Sequence, residues 1–199
     1  MNINQSVLNQ ALQLLGSILD RDEQAKSIHF VVCGGSSMIM MGLVTRTTRD
    51  VDIVAYLEKN QGPNELQYAS TIPKFLQKAA SRVSADLGLD EQWLNTGPKD
   101  LLQYGLPDGF VDRLYNQKYG EKLAVSFISR FDQIHFKMYA AVDSGPGRHV
   151  DDLLALRPTA HEIEQAARWV LKQDPSSTFK QMLINMLKAL SYGSVVEKI

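Results

Sequence analysis

Residues 31–56 carry most of the evidence for the fold: VVCGGSSMIMMGLVTRTTRDVDIVAY. The run that leads into them, residues 28–33 (IHFVVC), is β-branched and aromatic, which predicts a buried strand ending at two glycines. Residues 36–43 are apolar and rich in methionine, which predicts a short helix. Residues 50–56 (DVDIVAY) alternate acidic and apolar side chains before becoming fully apolar, which predicts a second strand. The segment therefore predicts a strand, a glycine turn, a helix and a second strand.

Two glycines and two serines, residues 34–37, lie between the first predicted strand and the helix. Glycine lets the backbone bend sharply and lets a ligand approach main-chain N–H groups closely. The unpaired N–H groups at the start of a helix suit a phosphate. Glycine pairs also mark ordinary turns, so a phosphate cradle and a plain turn both remain open here.

Asp50 and Asp52 are two residues apart on the second predicted strand. Strand alternation places both carboxylates on one face, roughly 6–7 Å apart between Cα atoms, with Val51 and Ile53 toward the core. Two converging carboxylates repel each other unless a cation lies between them, and oxygen ligands suit Mg²⁺. Such a metal can clamp a triphosphate and activate an attacking hydroxyl. A solvated strand edge is the alternative, although aspartate is a poor strand former.

The order and spacing of these parts resemble the DNA polymerase-β-like nucleotidyltransferase superfamily, and more narrowly its AbiEii/AbiGii toxin-type branch. The matching pattern is Gly34-Gly35-Ser36, a helix, then Arg46-x-Thr48-x-Asp50-x-Asp52. The resemblance implies an α+β fold with a small mixed sheet flanked by helices, followed by a C-terminal helical bundle. It implies Asp50 and Asp52 as catalytic Mg²⁺ ligands and a nucleoside triphosphate as substrate. The implied nucleotide-binding residues are Gly34, Gly35, Ser36, Ser37, Arg46 and Thr48. Arg49 is a further cation that can neutralise phosphate or pair with the aspartates.

The resemblance extends to a lysine on a helix predicted over residues 131–143. Lys137 matches the family lysine, and the resemblance implies that it neutralises phosphate charge. The sequence alone equally allows a surface lysine whose stem lies along an apolar face.

The next segment resembles the family's Arg-Asp-x-x-Asp-Leu sequence. Arg148 and Asp152-Leu153 match it, whereas His149 stands where the family usually has its first aspartate. The resemblance implies that Asp152 orients Lys137 or the acceptor. Asp151 is adjacent in sequence but points elsewhere on a helix, and both aspartates also complement a helix N-terminus.

The remaining pattern predicts an α+β core over residues 1–130 and a helical part over residues 131–199. The second part completes a cleft, either as a domain of its own or as a continuation of the first. Further helices are predicted over residues 5–20, 72–87 and 150–157. Another helix is predicted to begin at the capping box formed by Thr159 and Glu162. The last helix is predicted to run from Ser176 or Ser177 to Gly193. Residues 122–129 predict another strand, residues 59–64 a loop, and residues 88–120 little regular structure.

Composition limits the function classes. The 199 residues include 21 Lys and Arg and 22 Asp and Glu, which gives a net charge of −1. The protein therefore lacks the overall positive charge needed to bind long duplex DNA through many phosphates. The single cysteine, Cys33, excludes an intramolecular disulfide and a cysteine zinc cluster. No apolar run approaches the ~20 residues of a membrane span, and the N-terminus lacks signal-peptide features. We expect a soluble, cytoplasmic protein with no membrane partner.

Two functions remain in view. The first is a Mg²⁺-dependent nucleotidyltransferase that acts on a hydroxyl of an RNA end, such as that of tRNA, or of a protein. If the toxin-type resemblance extends to function, a cognate antitoxin is its partner. The second is a catalytically silent binding protein of the same fold. The polymerase-β-like resemblance implies a third metal carboxylate on a later strand, but residues 122–129 hold no acidic side chain, and His149 departs from the pattern. Trp93 and Asn95 could line a pocket. A buried aromatic anchor is the alternative for Trp93, and the sequence assigns neither residue a role.

Overall fold

The computed structural model describes residues 2–57, 66–97 and 105–199. Contacts divide these residues into two units, residues 2–57, 66–97 and 111–129 in the first, and residues 105–110 and 130–199 in the second. The loop predicted over residues 59–64 lies outside the described residues. None of the helices in the described ranges combines the length and apolar character needed to cross a membrane.

A mixed sheet of six strands, counted over the described residues, forms the centre of the first unit. The strands are β1 (Ile28–Cys33), β2 (Val51–Leu57), β3 (Leu66–Tyr68), β4 (Leu94–Asn95), β5 (Tyr115–Lys118) and β6 (Leu123–Phe127). Their order is β3-β2-β1-β6-β5, and β4 pairs with β2 beyond this path. β1 runs parallel to β6, and β2 runs parallel to β4, while the other pairs are antiparallel.

Three α-helices in the described residues belong to this unit, α1 (Gln5–Arg21), α2 (Gly34–Met40) and α3 (Lys74–Leu87), and a short 3₁₀ helix spans Val111–Arg113. The leucine stripe of α1 joins α3 and one face of the sheet in a single apolar core, to which β1 contributes Phe30 and Val32. Because strand side chains alternate between faces, Val31 and Cys33 lie on the opposite face. The predicted α+β fold with a small mixed sheet flanked by helices is confirmed.

The pairing of β1 with β2 contains a β-bulge. Val31 lies opposite Ala55, but Val32 lies opposite Ile53, so Val54 is the extra residue. A bulge changes which face the following side chains occupy. Both Ile53, before it, and Tyr56, after it, therefore pack on the same apolar core.

Five helices form the second unit: α4 (Arg130–Ser144), α5 (Arg148–Ala155), α6 (Ala160–Gln173), α7 (Ser177–Ala189) and α8 (Gly193–Val196). α4 is central and contacts α5, α6 and α7. The predicted capping box at the start of α6 is confirmed, since Thr159 and Glu162 each bond the other's backbone N–H. Ser176 caps α7, which ends at Ala189 instead of continuing to Gly193.

Arg130, at the start of α4, ties this unit together. Its guanidinium contacts the Glu162 carboxylate at 2.6 Å and donates to the carbonyls of Leu156 and Arg157. The hydrogen bond from Arg130, with help from the Thr159 N–H and hydroxyl, lowers the pKa of Glu162 to about 2. The capping carboxylate is therefore ionised at neutral pH and fixes the α5–α6 connection to α4.

Candidate active site

The Asp52 carboxylate is held between two glycine backbones. A Cβ atom on Gly34 would lie 2.8 Å from Asp52 Oδ2, and one on Gly97 would lie 2.8 Å from Oδ1. Both distances are shorter than real Cβ contacts, so a side chain at either position would require the Asp52 carboxylate to shift. Gly34 also has a φ of +68°, a conformation that glycine adopts without steric cost. The neighbours Val51 and Ile53 are fully buried in the core and keep Asp52 on the opposite face.

The second glycine of the turn is surrounded by the polar segment that precedes β2. A Cβ atom on Gly35 would lie 2.9 Å from Thr48 Oγ1 and 3.1 and 3.2 Å from the two terminal guanidinium nitrogens of Arg46. The Thr48 hydroxyl donates to Asp50 Oδ1 over 3.2 Å. Gly35, Arg46, Thr48 and Asp50 therefore form one cluster, and Gly34 joins it to Asp52.

Backbone pairing fixes the position of Thr48. Its N–H donates to the carbonyl of Ile3 over 2.9 Å, and its own carbonyl accepts from Ile3 N–H over 2.7 Å. Ile3 is fully buried, and Arg46 donates to the Thr47 carbonyl over 2.9 Å. The N-terminal residues thus clamp the polar segment against the turn, although the segment itself has no helical or strand pattern.

The two serines of the turn use their hydroxyls inside the fold. Ser36 Oγ donates to the Cys33 carbonyl and Ser37 Oγ to the Ile128 carbonyl, each over 3.2 Å. Both side chains are fully buried. They hold α2 against the ends of β1 and β6, and the nucleotide contact predicted for them stays a prediction.

Asn95, which the sequence offered only as a possible pocket-lining residue without a role, lies beside Asp52. It pairs with Asp52 in the parallel register of β2 and β4, and its Oδ1 would lie 2.9 Å from a Cβ atom on Gly97. Trp93 does not line a pocket, because it is fully buried and donates from Nε1 to the Ala80 carbonyl over 3.0 Å. The buried-anchor interpretation of Trp93 is therefore confirmed.

Two side chains supply oxygen donors beside Gly34 and Gly97, the Asp52 carboxylate and the Asn95 amide. The Asp50 carboxylate lies in the neighbouring cluster, where it accepts a hydrogen bond from the Thr48 hydroxyl. Over the described ranges, no three His, Cys, Asp or Glu side chains gather in a way that could hold a metal ion. Mg²⁺ commonly binds proteins through one or two carboxylates and completes its shell with substrate phosphates and water. Carboxylate and amide oxygens are ligand types that suit Mg²⁺, with water or nucleotide phosphates completing its shell.

Lys137 and Asp152 lie in the second unit, on α4 and α5, where they contact each other. Lys137 Nζ lies 2.7 Å from Asp152 Oδ2, and the two side chains are 6% and 3% exposed. Lys137 is therefore a buried charge and not a surface lysine. Asp151, its neighbour on α5, is exposed, as is Arg148, while His149 is half-buried. Of the two aspartates, only Asp152 accompanies the lysine.

Residues 7–145 match the family described as "Nucleotidyltransferase of unknown function (DUF6036)", so the chain belongs to this family of nucleotidyltransferases. The match spans the sheet, the glycine turn, both aspartates and Lys137. No curated protein and no solved structure matches the chain.

Proposed function

We propose that this protein is a Mg²⁺-dependent enzyme that transfers a nucleoside monophosphate from a nucleoside triphosphate to a hydroxyl group and releases pyrophosphate. The observation that carries the proposal is the Asp52 carboxylate, held between Gly34 and Gly97 next to the cluster of Asp50 and Arg46. Family membership supports the reaction class. The metal, the acceptor and the biological role are the parts that we add.

Asp50 and Asp52 are the residues that would hold the metal. When bound, Mg²⁺ supplies charge neutralisation for the triphosphate and the developing charge in the transition state. Thr48 keeps one oxygen of Asp50 engaged through its 3.2 Å hydrogen bond, which fixes the carboxylate orientation. Fixing a ligand before substrate arrives lowers the cost of assembling the site.

The triphosphate would lie along Gly34 and Gly35. Gly34 is half-buried and has no side chain over its main chain, and the guanidinium of Arg46 lies directly beside the buried Gly35. A guanidinium binds phosphate oxygens through two parallel hydrogen bonds. Ser36 and Ser37 contribute by holding the turn in place, since their hydroxyls bond to main-chain carbonyls.

In the proposed step the acceptor oxygen forms a bond to the α-phosphorus. The bond from the α-phosphorus to the bridging oxygen breaks, pyrophosphate leaves with the electron pair, and the hydroxyl proton passes to water. The roles that the family resemblance implies for the second unit are neutralisation of phosphate charge by Lys137 and positioning of its ammonium group by Asp152. The 2.7 Å contact of the two side chains supports the positioning part of this assignment.

The acceptor that we propose is a hydroxyl of an RNA end or of a protein, with the enzyme acting as the toxin of a toxin–antitoxin pair. This part rests on the resemblance of Gly34-Gly35, Asp50, Asp52 and Lys137 to the AbiEii/AbiGii-type pattern. The net charge of −1 supports a short contact with an RNA end over binding along a duplex, which requires many phosphate contacts.

Label transfer tests the proposal. The protein is incubated with each α-³²P nucleoside triphosphate, Mg²⁺, and total RNA or protein from a cell extract. We expect labelled RNA or protein with the wild type and with Asp86→Asn, an exposed aspartate of α3. We expect background labelling with Asp52→Asn. No transfer with any nucleotide, or equal transfer by Asp52→Asn, would refute the enzyme and favour a silent binding protein.

A further inference from the structure

Asn95, at the end of the shortest strand of the sheet, lies beside the proposed metal ligands. We propose that the Asn95 amide oxygen is the third protein ligand of the metal, in a site that has two carboxylates instead of three. This inference rests on the proposed function, because the metal is the one that the nucleotidyl transfer would use. It assigns a binding role to a residue outside the glycine and aspartate motifs.

Strand register places the Asn95 side chain next to Asp52. β4 pairs with β2 in parallel, with Val51 beside Leu94 and Asp52 beside Asn95. Neighbouring residues of paired strands project from the same face, and the strands are about 4.8 Å apart. Leu94 is buried like Val51, which agrees with Asn95 sharing the half-buried face of Asp52.

Two oxygen atoms from neighbouring strands lie close to Gly97. The three atoms nearest to the position that a Cβ atom would take are Asp52 Oδ1 at 2.8 Å, Asn95 Oδ1 at 2.9 Å and Asp52 Cγ at 3.6 Å. A carboxylate oxygen and an amide oxygen thus approach the same backbone position from two strands. A side chain at residue 97 would crowd both oxygens, so the glycine allows them to lie side by side.

An amide suits this position better than a carboxylate would in the metal-free protein. Like charges directly across a strand pair are destabilising, and a second carboxylate at residue 95 would lie beside Asp52. The amide oxygen of asparagine also ligates hard cations, and it adds no charge. The asparagine therefore provides an oxygen ligand without the repulsion of a third aspartate.

The residues before Asn95 hold it in place. Trp93 is fully buried, its indole N–H donates to the Ala80 carbonyl over 3.0 Å, and its own carbonyl accepts from Val51 N–H over 2.5 Å. The anchor fixes β4 to both α3 and β2. A ligand on such a rigid support loses little conformational freedom when a metal binds.

Mn²⁺ binding measured by electron paramagnetic resonance tests the assignment without reference to activity. The free Mn²⁺ signal is titrated with wild-type protein and with Asn95→Ala, Asn95→Asp and Asp52→Asn. We expect Asn95→Ala to raise the dissociation constant by about tenfold or more, the scale on which lost site residues weaken metals. We expect Asn95→Asp to retain or tighten binding, because it restores an oxygen and adds negative charge. Asn185→Ala removes an exposed asparagine of α7 and should bind like the wild type.

The outcomes separate this inference from the proposed function. If Asp52→Asn loses Mn²⁺ while Asn95→Ala binds it like the wild type, the metal site stands and Asn95 is not a ligand. If the wild type binds no Mn²⁺, both the metal site and the third ligand are refuted. Thermal unfolding of each variant shows whether the fold is retained. If Asn95→Ala does not fold, Mn²⁺ binding by Asn95→Asp as tight as that of the wild type or tighter supports the proposal, and weaker binding overturns it.

Discussion

The buried pair of Lys137 and Asp152 gives the sharpest test of how the second unit is built. Asp152→Ala removes the carboxylate that lies 2.7 Å from the Lys137 ammonium group, and the Lys137 side chain is only 6% exposed in the wild type. Two unit charges about 4 Å apart interact by about 4 kcal/mol at an effective dielectric constant of about 20. Removing one partner of a buried pair costs about 3–5 kcal/mol, because the remaining charge stays desolvated. We expect Asp152→Ala to lower the free energy of unfolding by that amount.

A second variant separates stability from function. Lys137→Met with Asp152→Leu removes both charges and keeps apolar volume, and such replacements are often neutral or stabilising. We therefore expect the double variant to unfold within about 1 kcal/mol of the wild type. If Lys137 has the role proposed above, the double variant also loses label transfer. Asp151→Ala is the matched control, since this exposed aspartate of the same helix contributes at most about 1 kcal/mol.

Thermal and urea unfolding measure the effect. For a protein of this size, about 3–5 kcal/mol corresponds to a decrease in melting temperature of roughly 6–20 °C. A loss below about 1 kcal/mol for Asp152→Ala would refute the buried ion pair. A double variant as unstable as the sum of its two single variants would show that the two charges are not coupled.

Two further predictions concern α1 and α6. Gly16→Ala should destabilise the protein by about 2 kcal/mol, since its Cβ would lie 1.7 Å from the Tyr119 carbonyl oxygen and overpacking outweighs the gain in helix propensity. Gly193→Ala should not destabilise the protein, because open space surrounds the position that its Cβ would take. Equal unfolding curves for the two variants would contradict the prediction for Gly16. The pKa of Glu162, lowered from 4.5 to about 2 by Arg130, implies stabilisation that is complete above pH 4.5 and is lost as pH falls through 2. Glu162→Gln should remove this pH dependence. If the melting temperature falls with the same slope in the variant and the wild type between pH 5 and pH 2, the prediction is refuted.

Local patterns were sufficient for the elements that are stabilised locally. Residues 28–33 coincide with β1, and Thr159 with Glu162 marked the start of α6 through bonds within one turn. β5 was missed because its sequence, YNQK, is polar and mostly exposed and forms a strand only by pairing with β6. β4 has two residues, too few for any periodicity. Its existence depends on β2, which is distant in sequence.

The candidate site divides in the same way. The spacing of Gly34, Gly35, Asp50 and Asp52 is visible in the sequence because one short helix joins the turn to the strand. The position of Asn95 beside Asp52 is not visible in the sequence, because only the parallel register of β4 with β2 brings the two residues together. The two serines show the opposite limit: their residue type suits phosphate binding, but burial directs both hydroxyls to main-chain carbonyls.

The β-bulge at Val54 explains why DVDIVAY loses its alternation in the middle. Ile53 must face the core so that Asp52 faces the glycine turn, and strict alternation from there would also place Tyr56 on the face of Asp52. The extra residue shifts Tyr56 to the core face, where it packs on the apolar cluster and its hydroxyl donates to the Thr71 carbonyl over 3.0 Å. One strand can therefore present a carboxylate on one face at its start and an aromatic anchor on the other at its end. The irregularity in the sequence pattern is the bulge that lets β2 do both.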